Sequence, residues 1–305
     1  MDSNPSYLSI LIPTYNNVCV DLVKSLHEAA TSTEGLIFEI LVADDGSTDT
    51  GTVRANQAMA ALPHTRYIVR DTNVGRSAIR NFLAQEAQYS HLLFIDSHMS
   101  TISPSFLKAY LPYQDKDIVC GGYTIDKEYR NPTGNLRQAY EVSCLSQQDC
   151  AWRSQSPHAH FHTSNFMIKR DIMLRHPLDE RFKHYGYEDV LYGKTLKDEG
   201  IHIHHIDNPV GFHHFEDNKR FMEKTDEGLR TLHEFRTELR GYSRLLHLCD
   251  RLERWHLLWL PKVVYSIFGP WLRNHLTGSH PTLLAFKIYR LSYFAHLSAD
   301  KAIDQ

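Results

Sequence analysis

Asp96-Ser97-His98 sets a carboxylate and an imidazole two positions apart at the end of an apolar run, Leu92–Ile95. Side chains so placed can address one divalent cation and the phosphate-bearing ligand beside it. Departure of a sugar from a nucleoside diphosphate needs the leaving charge neutralised, and a divalent cation does that directly. A carboxylate with a neutral imidazole suits Mn²⁺ as well as Mg²⁺. Taken alone, the tripeptide equally describes an Asp capping a turn beside an exposed His. Asp44-Asp45-Gly46-Ser47 ends another apolar run, Ile37–Ala43. A carboxylate there can accept from the N3–H of a uracil while Thr14 and Tyr15 flank the base. Such a tetrapeptide is also ordinary turn chemistry.

A third group is His184-Tyr185-Gly186-Tyr187-Glu188-Asp189, just ahead of a helical pattern. The helix dipole keeps two acids at a helix N-terminus ionised, which accounts for them structurally. An ionised carboxylate is also what a general base must be. The chain holds 20 histidines, and five of them cluster as His202, His204, His205, His213 and His214. In a strand, His202 and His204 share one face and His205 takes the other. Most of these read as surface or packing residues. One more imidazole would complete a metal site begun at Asp96 and His98; His213 is the first choice, His214 the alternative.

These groups need elements to position them. Short apolar runs at Leu8–Ile12, Ile37–Ala43, Tyr67–Val69, Leu92–Ile95 and Ile118–Cys120 alternate with helical periodicity, as in Cys19, Leu22, Val23, Leu26 and Ala30. Strands without internal alternation, separated by helices, predict a mostly parallel sheet covered on both faces. Ligands of such sheets bind beyond the carboxyl ends of the strands, where Thr14, Asp44, Asp45, Asp96 and His98 fall. Ser47 or Thr48 is expected to cap the helix after the second strand. No G-x-G-x-x-G follows the first strand and no G-x-x-x-x-G-K-[ST] occurs, against a dinucleotide oxidoreductase or a P-loop enzyme. Residues 122–160 read as loop and irregular helix. Further strands are expected at Asn165–Ile168, Ile201–Ile206 and Val210–His214, with a helix over Glu188–Glu199.

Composition limits the partners. A net charge of -3 gives no global field for nucleic acid. Five irregularly spaced cysteines suit reduced thiols and a cytoplasmic setting. No signal peptide is read at Met1-Asp2-Ser3-Asn4-Pro5, and no run reaches the ~18 apolar residues of a membrane span. After about residue 217 the chain turns helical. Leu245, Leu248, Leu252, Trp255 and Trp259 read as one helical face, with Pro261 and Pro270 breaking the chain beyond it into short helices. Within 240–280, six Lys and Arg oppose two acids among Trp255, Trp259, Tyr265, Phe268 and Trp271. Such a mixture suits peripheral contact with the anionic inner face of a cell membrane. It suits a helical cap or a dimer surface equally.

The order of the motifs carries a resemblance. Pro13-Thr14-Tyr15-Asn16, then Ala43-Asp44-Asp45-Gly46-Ser47-Thr48-Asp49, then Asn73-Val74-Gly75 with Ala78-Ile79-Arg80-Asn81, then Phe94-Ile95-Asp96-Ser97-His98, resembles family-2 glycosyltransferases of the GT-A fold. The likeness covers about residues 7–215. It implies an α/β, Rossmann-like GT-A domain over 1–216 and a helical C-terminal extension over 217–305. By the resemblance, Pro13, Thr14, Tyr15 and Asp45 would meet the base of a nucleotide-sugar donor. Asp96 and Ser97 would lie near ribose and metal, and Arg76 and Arg80 near the diphosphate. His98 departs from the family's second acid, but a similar D-S-H binds Mn²⁺ in polypeptide N-acetylgalactosaminyltransferases. Tyr185-Gly186-Tyr187-Glu188-Asp189 is similar to the W-G-G-E-D segment of chondroitin-polymerase-type transferases, with Tyr185 for Trp and Tyr187 for the second Gly. Asp189 matches the catalytic base and Glu188 its acceptor-binding neighbour. Gly211-Phe212-His213 resembles the late histidine that closes the metal site.

The activity so implied is single-displacement, inverting transfer from a UDP-sugar to a saccharide or lipid-linked saccharide hydroxyl, of the kind used in surface polysaccharide synthesis. A non-catalytic nucleotide-sugar binder of the same fold is the alternative. A metal hydrolase built on the histidine cluster is a third reading, weakened by the lack of H-E-x-x-H.

Overall fold

The computed structural model describes residues 5–300, so the Met1–Asn4 stretch lies outside it. The chain divides into two compact units. The first comprises residues up to Asp126, Ser146–Lys183 and Glu188–His214. The second comprises Lys127–Leu145, His184–Tyr187 and the chain from Phe215 onward.

The first unit runs β1 (Ser6–Thr14), α1 (Val20–Thr31), β2 (Leu36–Asp44), α2 (Thr50–Asn56), β3 (Thr65–Val69), α3 (Arg76–Glu86), β4 (His91–Ile95), β5 (Met99–Thr101), β6 (Ile118–Cys120) and β7 (Tyr123–Thr124). The helix α4 (Leu136–Cys144) belongs to the second unit. The first then resumes with α5 (Cys150–Ser154), β8 (Asn165–Lys169), α6 (Arg170–Arg175), α7 (Glu188–Asp198), β9 (Ile203–His205) and β10 (Val210–Phe212). Its main sheet has the order β3-β2-β1-β4-β8-β6-β9. Only β8 runs antiparallel to its neighbours. Leu8, Ile10, Leu11 and Ile12 are fully buried, as are Ile40, Leu41 and Val42. Consecutive burial requires cover on both faces, so unalternating apolar runs became the central strands. α3 supplies cover through Ile79, Leu83 and Ala84, and the Phe94 and Phe166 rings stack at 4.9 Å between β4 and β8.

The register builds the site. Thr14 pairs with Asp44 at the ends of β1 and β2. Between β1 and β4, Leu11 pairs with Phe94, and continuing that register sets Pro13 level with Asp96. The chain leaves β1 toward β2 on one side and returns to β4 on the other, so the crevice between β1 and β4 is the switch point of the sheet.

Each strand read from the sequence has a counterpart, with Ile201–Ile206 shortened to Ile203–His205, so that His202 lies outside it. Val210–His214 is shortened to Val210–Phe212 and leaves the main sheet, lying between β5 and β7 in a second, three-stranded sheet. β5 and β7 are too short for a periodic signal. The cap of α2 is a correction: Asp49, not Ser47 or Thr48, accepts from the Gly51 amide at 3.0 Å. Ser47 and Thr48 face the β1 loop instead, where the Ser47 hydroxyl accepts from the Asn16 amide at 2.7 Å.

The second unit is helical. α4 packs with α8 (Asn218–Glu234), α10 (Trp259–Thr277) and α11 (Leu283–Asp300) around Leu136, Phe221, Met222, Leu276, Phe286 and Tyr289. α9 (Arg244–Arg254) precedes α10. Two expectations fail here. Trp255 and Trp259 do not extend one helical face, because α9 stops at Arg254 and His256 adopts a positive φ of 56°. Nor do the prolines cut the segment: Pro261 lies in the first turn of α10, where an amide has no intrahelical acceptor, and Pro270 is carried inside a 19-residue helix.

Candidate active site

At the end of β2 two adjacent carboxylates take different partners. Asp44 accepts from the Ser47 amide at 2.7 Å and from the Tyr67 hydroxyl at 2.6 Å. Asp45 accepts from the Val74 and Gly75 amides, each at 3.0 Å. Burial raises the Asp45 pKa above its ordinary value, although both amides and Arg70 oppose it. Gly46 makes the turn at φ +71°, and a Cβ there would meet the Thr72 backbone carbonyl carbon at 2.6 Å. Thr14 is buried and donates to the Asn17 carbonyl at 3.0 Å, whereas Tyr15 is exposed. Across the crevice, the Asn17 amide donates to the Ser97 carbonyl at 2.9 Å and its hydroxyl at 3.2 Å. The sequence-predicted base-side residues and Asp96-Ser97 thus share one strand-end cluster.

α3 contributes two arginines one turn apart. Arg80 is 2% exposed; its guanidinium binds the Asp96 carboxylate and donates to the Arg76 carbonyl at 3.0 Å. Burial alone would raise the Asp96 pKa. Arg80, then His98 and Arg76, outweigh it and hold the carboxyl below its ordinary range. Arg80 is therefore a buried counter-ion, and the Arg76 side chain, 42% exposed, is the arginine of the two that solvent reaches. Arg76 lies 3.7 Å from Glu188 Oε1. Glu188 is buried, and its Oε2 has no hydrogen-bond partner among the described residues. Burial raises its pKa, Arg76 opposes that, and Asp189 adds to it.

Asp189 stands in the first turn of α7, with Oδ1 accepting from the Val190 amide at 2.8 Å. Its Oδ2 lies 3.2 Å from Nδ1 of His162. His162 was missed in the sequence, where it sits between the stretch read as loop and irregular helix and β8, 27 residues from its partner. Only the folded β8–α7 arrangement joins them.

His98 and His213 come together through the second sheet. Met99 pairs with Phe212 in antiparallel register, so the next positions outward, His98 and His213, oppose each other. The His98 ring meets the Phe212 ring edge-on at 5.5 Å. His213 Nε2 lies 2.8 Å from the Ser100 hydroxyl and 3.6 Å from Asp126 Oδ2. A Cβ on Gly211 would collide with the His213 ring and with the Ser100 hydroxyl. The glycine is thus what lets the imidazole fold back over the strand. Asp96, His98 and His213 thus stand at adjoining strand ends. As the side chains stand, no three His, Cys, Asp or Glu among the described residues are gathered closely enough to hold a metal ion.

Two other members of the histidine cluster make packing and hydrogen-bond contacts. His205 is buried, with Nε2 on the Pro157 carbonyl at 3.0 Å and Nδ1 facing Arg153 at 2.5 Å. Burial, joined by Arg153, pushes its pKa down to about 4. His204 is exposed and packs on Tyr113.

A family model described as "Glycosyl transferase family 2" matches residues 9–175, which span β1 to α6. The validoxylamine A glucosyltransferase of Streptomyces hygroscopicus subsp. jinggangensis is 27% identical over 87% of this chain, which spans 64% of that protein. The chondroitin synthase of Pasteurella multocida is 24% identical over 68% of this chain, which spans 24% of that protein. Among solved structures, the Pyrobaculum calidifontis mannosyltransferase PcManGT with GDP-Man and Mn²⁺ superposes with a TM-score of 0.56 at 15% identity, over 99% of this chain and 88% of that one. S. aureus TarS 1-349 with UDP-GlcNAc gives 0.52 at 16% identity, over 97% and 92%. The mostly parallel seven-stranded sheet, its strand-end acids and the match over more than half its length make this chain a member of glycosyl transferase family 2, with a GT-A fold.

Proposed function

We propose that the chain is an inverting, metal-dependent transferase moving a hexosyl or N-acetylhexosaminyl group from a UDP-sugar to a hydroxyl of a saccharide or lipid-linked saccharide, in surface polysaccharide synthesis. The observation that carries this is Asp189, a partly exposed carboxylate anchored on the first turn of α7 and faced by the His162 imidazole. Asp189 takes the proton from the acceptor hydroxyl as the oxygen attacks the anomeric carbon. Attack opposite the departing diphosphate inverts that carbon. Glu188, whose buried Oε2 lacks a partner among the described residues, accepts from a sugar hydroxyl. Asp45, with Pro13, Thr14 and Tyr15, receives the base; each Asp45 oxygen has a second lone pair beyond the one its backbone amide takes. Ser97 lies by the ribose, and Arg76 meets the diphosphate while Arg80 fixes Asp96.

Asp96, His98 and His213, with His214 as the alternative, would hold Mn²⁺ or Mg²⁺, which when bound neutralises the leaving diphosphate. Support comes from the His98–His213 register and from the structural neighbours, one solved with UDP-GlcNAc and another with GDP-Man and Mn²⁺. We assign catalysis to residues 1–216 and a helical extension to 217–305, in a cytoplasmic enzyme. Screening UDP-, GDP- and dTDP-sugars for Mn²⁺-dependent release of the nucleotide, with Asp96→Ala as control, tests the reading. Release from one UDP-sugar, lost in the control, supports it. Binding of a nucleotide-sugar with no turnover across a panel of acceptors would favour a non-catalytic binder of the same fold.

A further inference from the structure

The second unit carries an apolar face that the described residues leave exposed. In α10, Trp259, Leu260, Val263, Ile267, Phe268 and Trp271 are all exposed, Ile267 and Trp271 at 64% each. At 3.6 residues per turn they form one broad stripe. Leu272 and Leu276 lie on the opposite side and fill the helical core with Phe221 and Phe286. An exposed row of aromatic and branched side chains along a 19-residue helix is far more than the scattered apolar residues of an ordinary surface.

The charge of this part of the chain says what covers the stripe. From Arg254 to Ser298 the chain has no Asp or Glu. Arg251, Arg254 and Lys287 are exposed, the Arg251 guanidinium lies 5.1 Å above the Trp255 ring, and the neighbouring acids Asp250 and Glu253 are taken up by ion pairs with Arg236 and Arg240. We infer that this face of α10 seats on the surface of an anionic lipid bilayer, with its tryptophans at headgroup depth and the basic residues on the lipid phosphates. The helix lies in the plane of the interface, since no described helix is long and apolar enough to cross a membrane. A second copy of the chain fits less well. A two-fold contact would set the same basic rim against itself. This inference stands apart from the reading of the donor site.

The test is flotation of the full chain with vesicles of phosphatidylcholine alone and of phosphatidylcholine with phosphatidylglycerol. The intact protein is expected to float with the anionic vesicles and to be released by salt. A Trp259→Ser/Ile267→Ser/Trp271→Ser variant, its fold checked by circular dichroism, should bind at least about tenfold more weakly. Arg251→Gln/Arg254→Gln/Lys287→Gln should lose the preference for anionic lipid. Failure of the intact protein to float, or equal flotation on neutral vesicles, overturns the inference. So does a lipid-free dimer that the Trp259/Ile267/Trp271 variant converts to monomer, which would give the face to a second copy.

Discussion

His162 presents Nδ1 to Asp189 Oδ2 at 3.2 Å, while the other carboxylate oxygen is held by the Val190 amide at 2.8 Å. Each oxygen of the proposed base is therefore oriented, one by backbone and one by imidazole. An imidazole N–H donated to a carboxylate fixes its direction.

Asp189→Asn keeps the shape and the Val190 contact but cannot take a proton. Transfer should fall by ~10²–10⁴-fold, the usual worth of a positioned base. Nucleotide binding, read by calorimetry, should be unchanged. Turnover near the wild-type rate would remove Asp189 from the base role. His162→Ala should lower kcat by about tenfold with KM for donor unaltered, since the carboxylate remains but is less well aimed.

Arg80→Met leaves the Asp96 carboxylate nearly buried without its counter-ion. Breaking such a pair from one side costs about 3–5 kcal/mol. Urea unfolding should show a loss of that order. Arg80→Lys should recover only part of it, because an ammonium lacks the planar fork that spans Asp96 and the Arg76 carbonyl together. A variant as stable as the parent would mean that Asp96 is held by other groups.

Gly211→Ala probes the second sheet. The methyl group would displace the His213 ring from Ser100, while the strand itself tolerates alanine. If His213 belongs to the metal set, Mn²⁺ should be required at a concentration at least about tenfold higher. The melting temperature should change by only a few degrees. An unaltered Mn²⁺ titration would place the metal elsewhere.

Much of this site was legible because parallel strands advertise themselves. Leu8–Ile12, Phe38–Ala43 and Leu92–Ile95 are buried on both faces, so apolar runs bounded by acids mark both strand and strand end. What stayed hidden depends on partners distant in sequence. β5 and β7 hold three and two residues, too few for any period, and exist because β10 lies between them. The approach of His162 to Asp189 is likewise a product of folding. Arg80 and Arg76 share one helix face, and only burial separates the counter-ion from the exposed guanidinium. Helical periodicity ran across the break at His256 because a positive φ leaves no trace in hydrophobic spacing.

His205 makes stability pH-dependent with a sign that can be worked out. Its folded pKa is about 4, against an ordinary 6.5. The neutral ring accepts from Arg153 and donates to the Pro157 carbonyl, and neither its burial nor the neighbouring guanidinium tolerates a second proton. Between those two values the unfolded chain binds a proton that the folded chain refuses. Stability is therefore full above about pH 7 and declines as pH falls toward 4. This one group accounts for about 2 kcal/mol of loss at pH 5. His205→Gln should be less stable at pH 7, because the Arg153 contact is disturbed. Its urea midpoint should nevertheless change less between pH 7 and pH 5 than that of the parent. Parallel pH profiles for the two proteins would show that His205 is not the group that titrates.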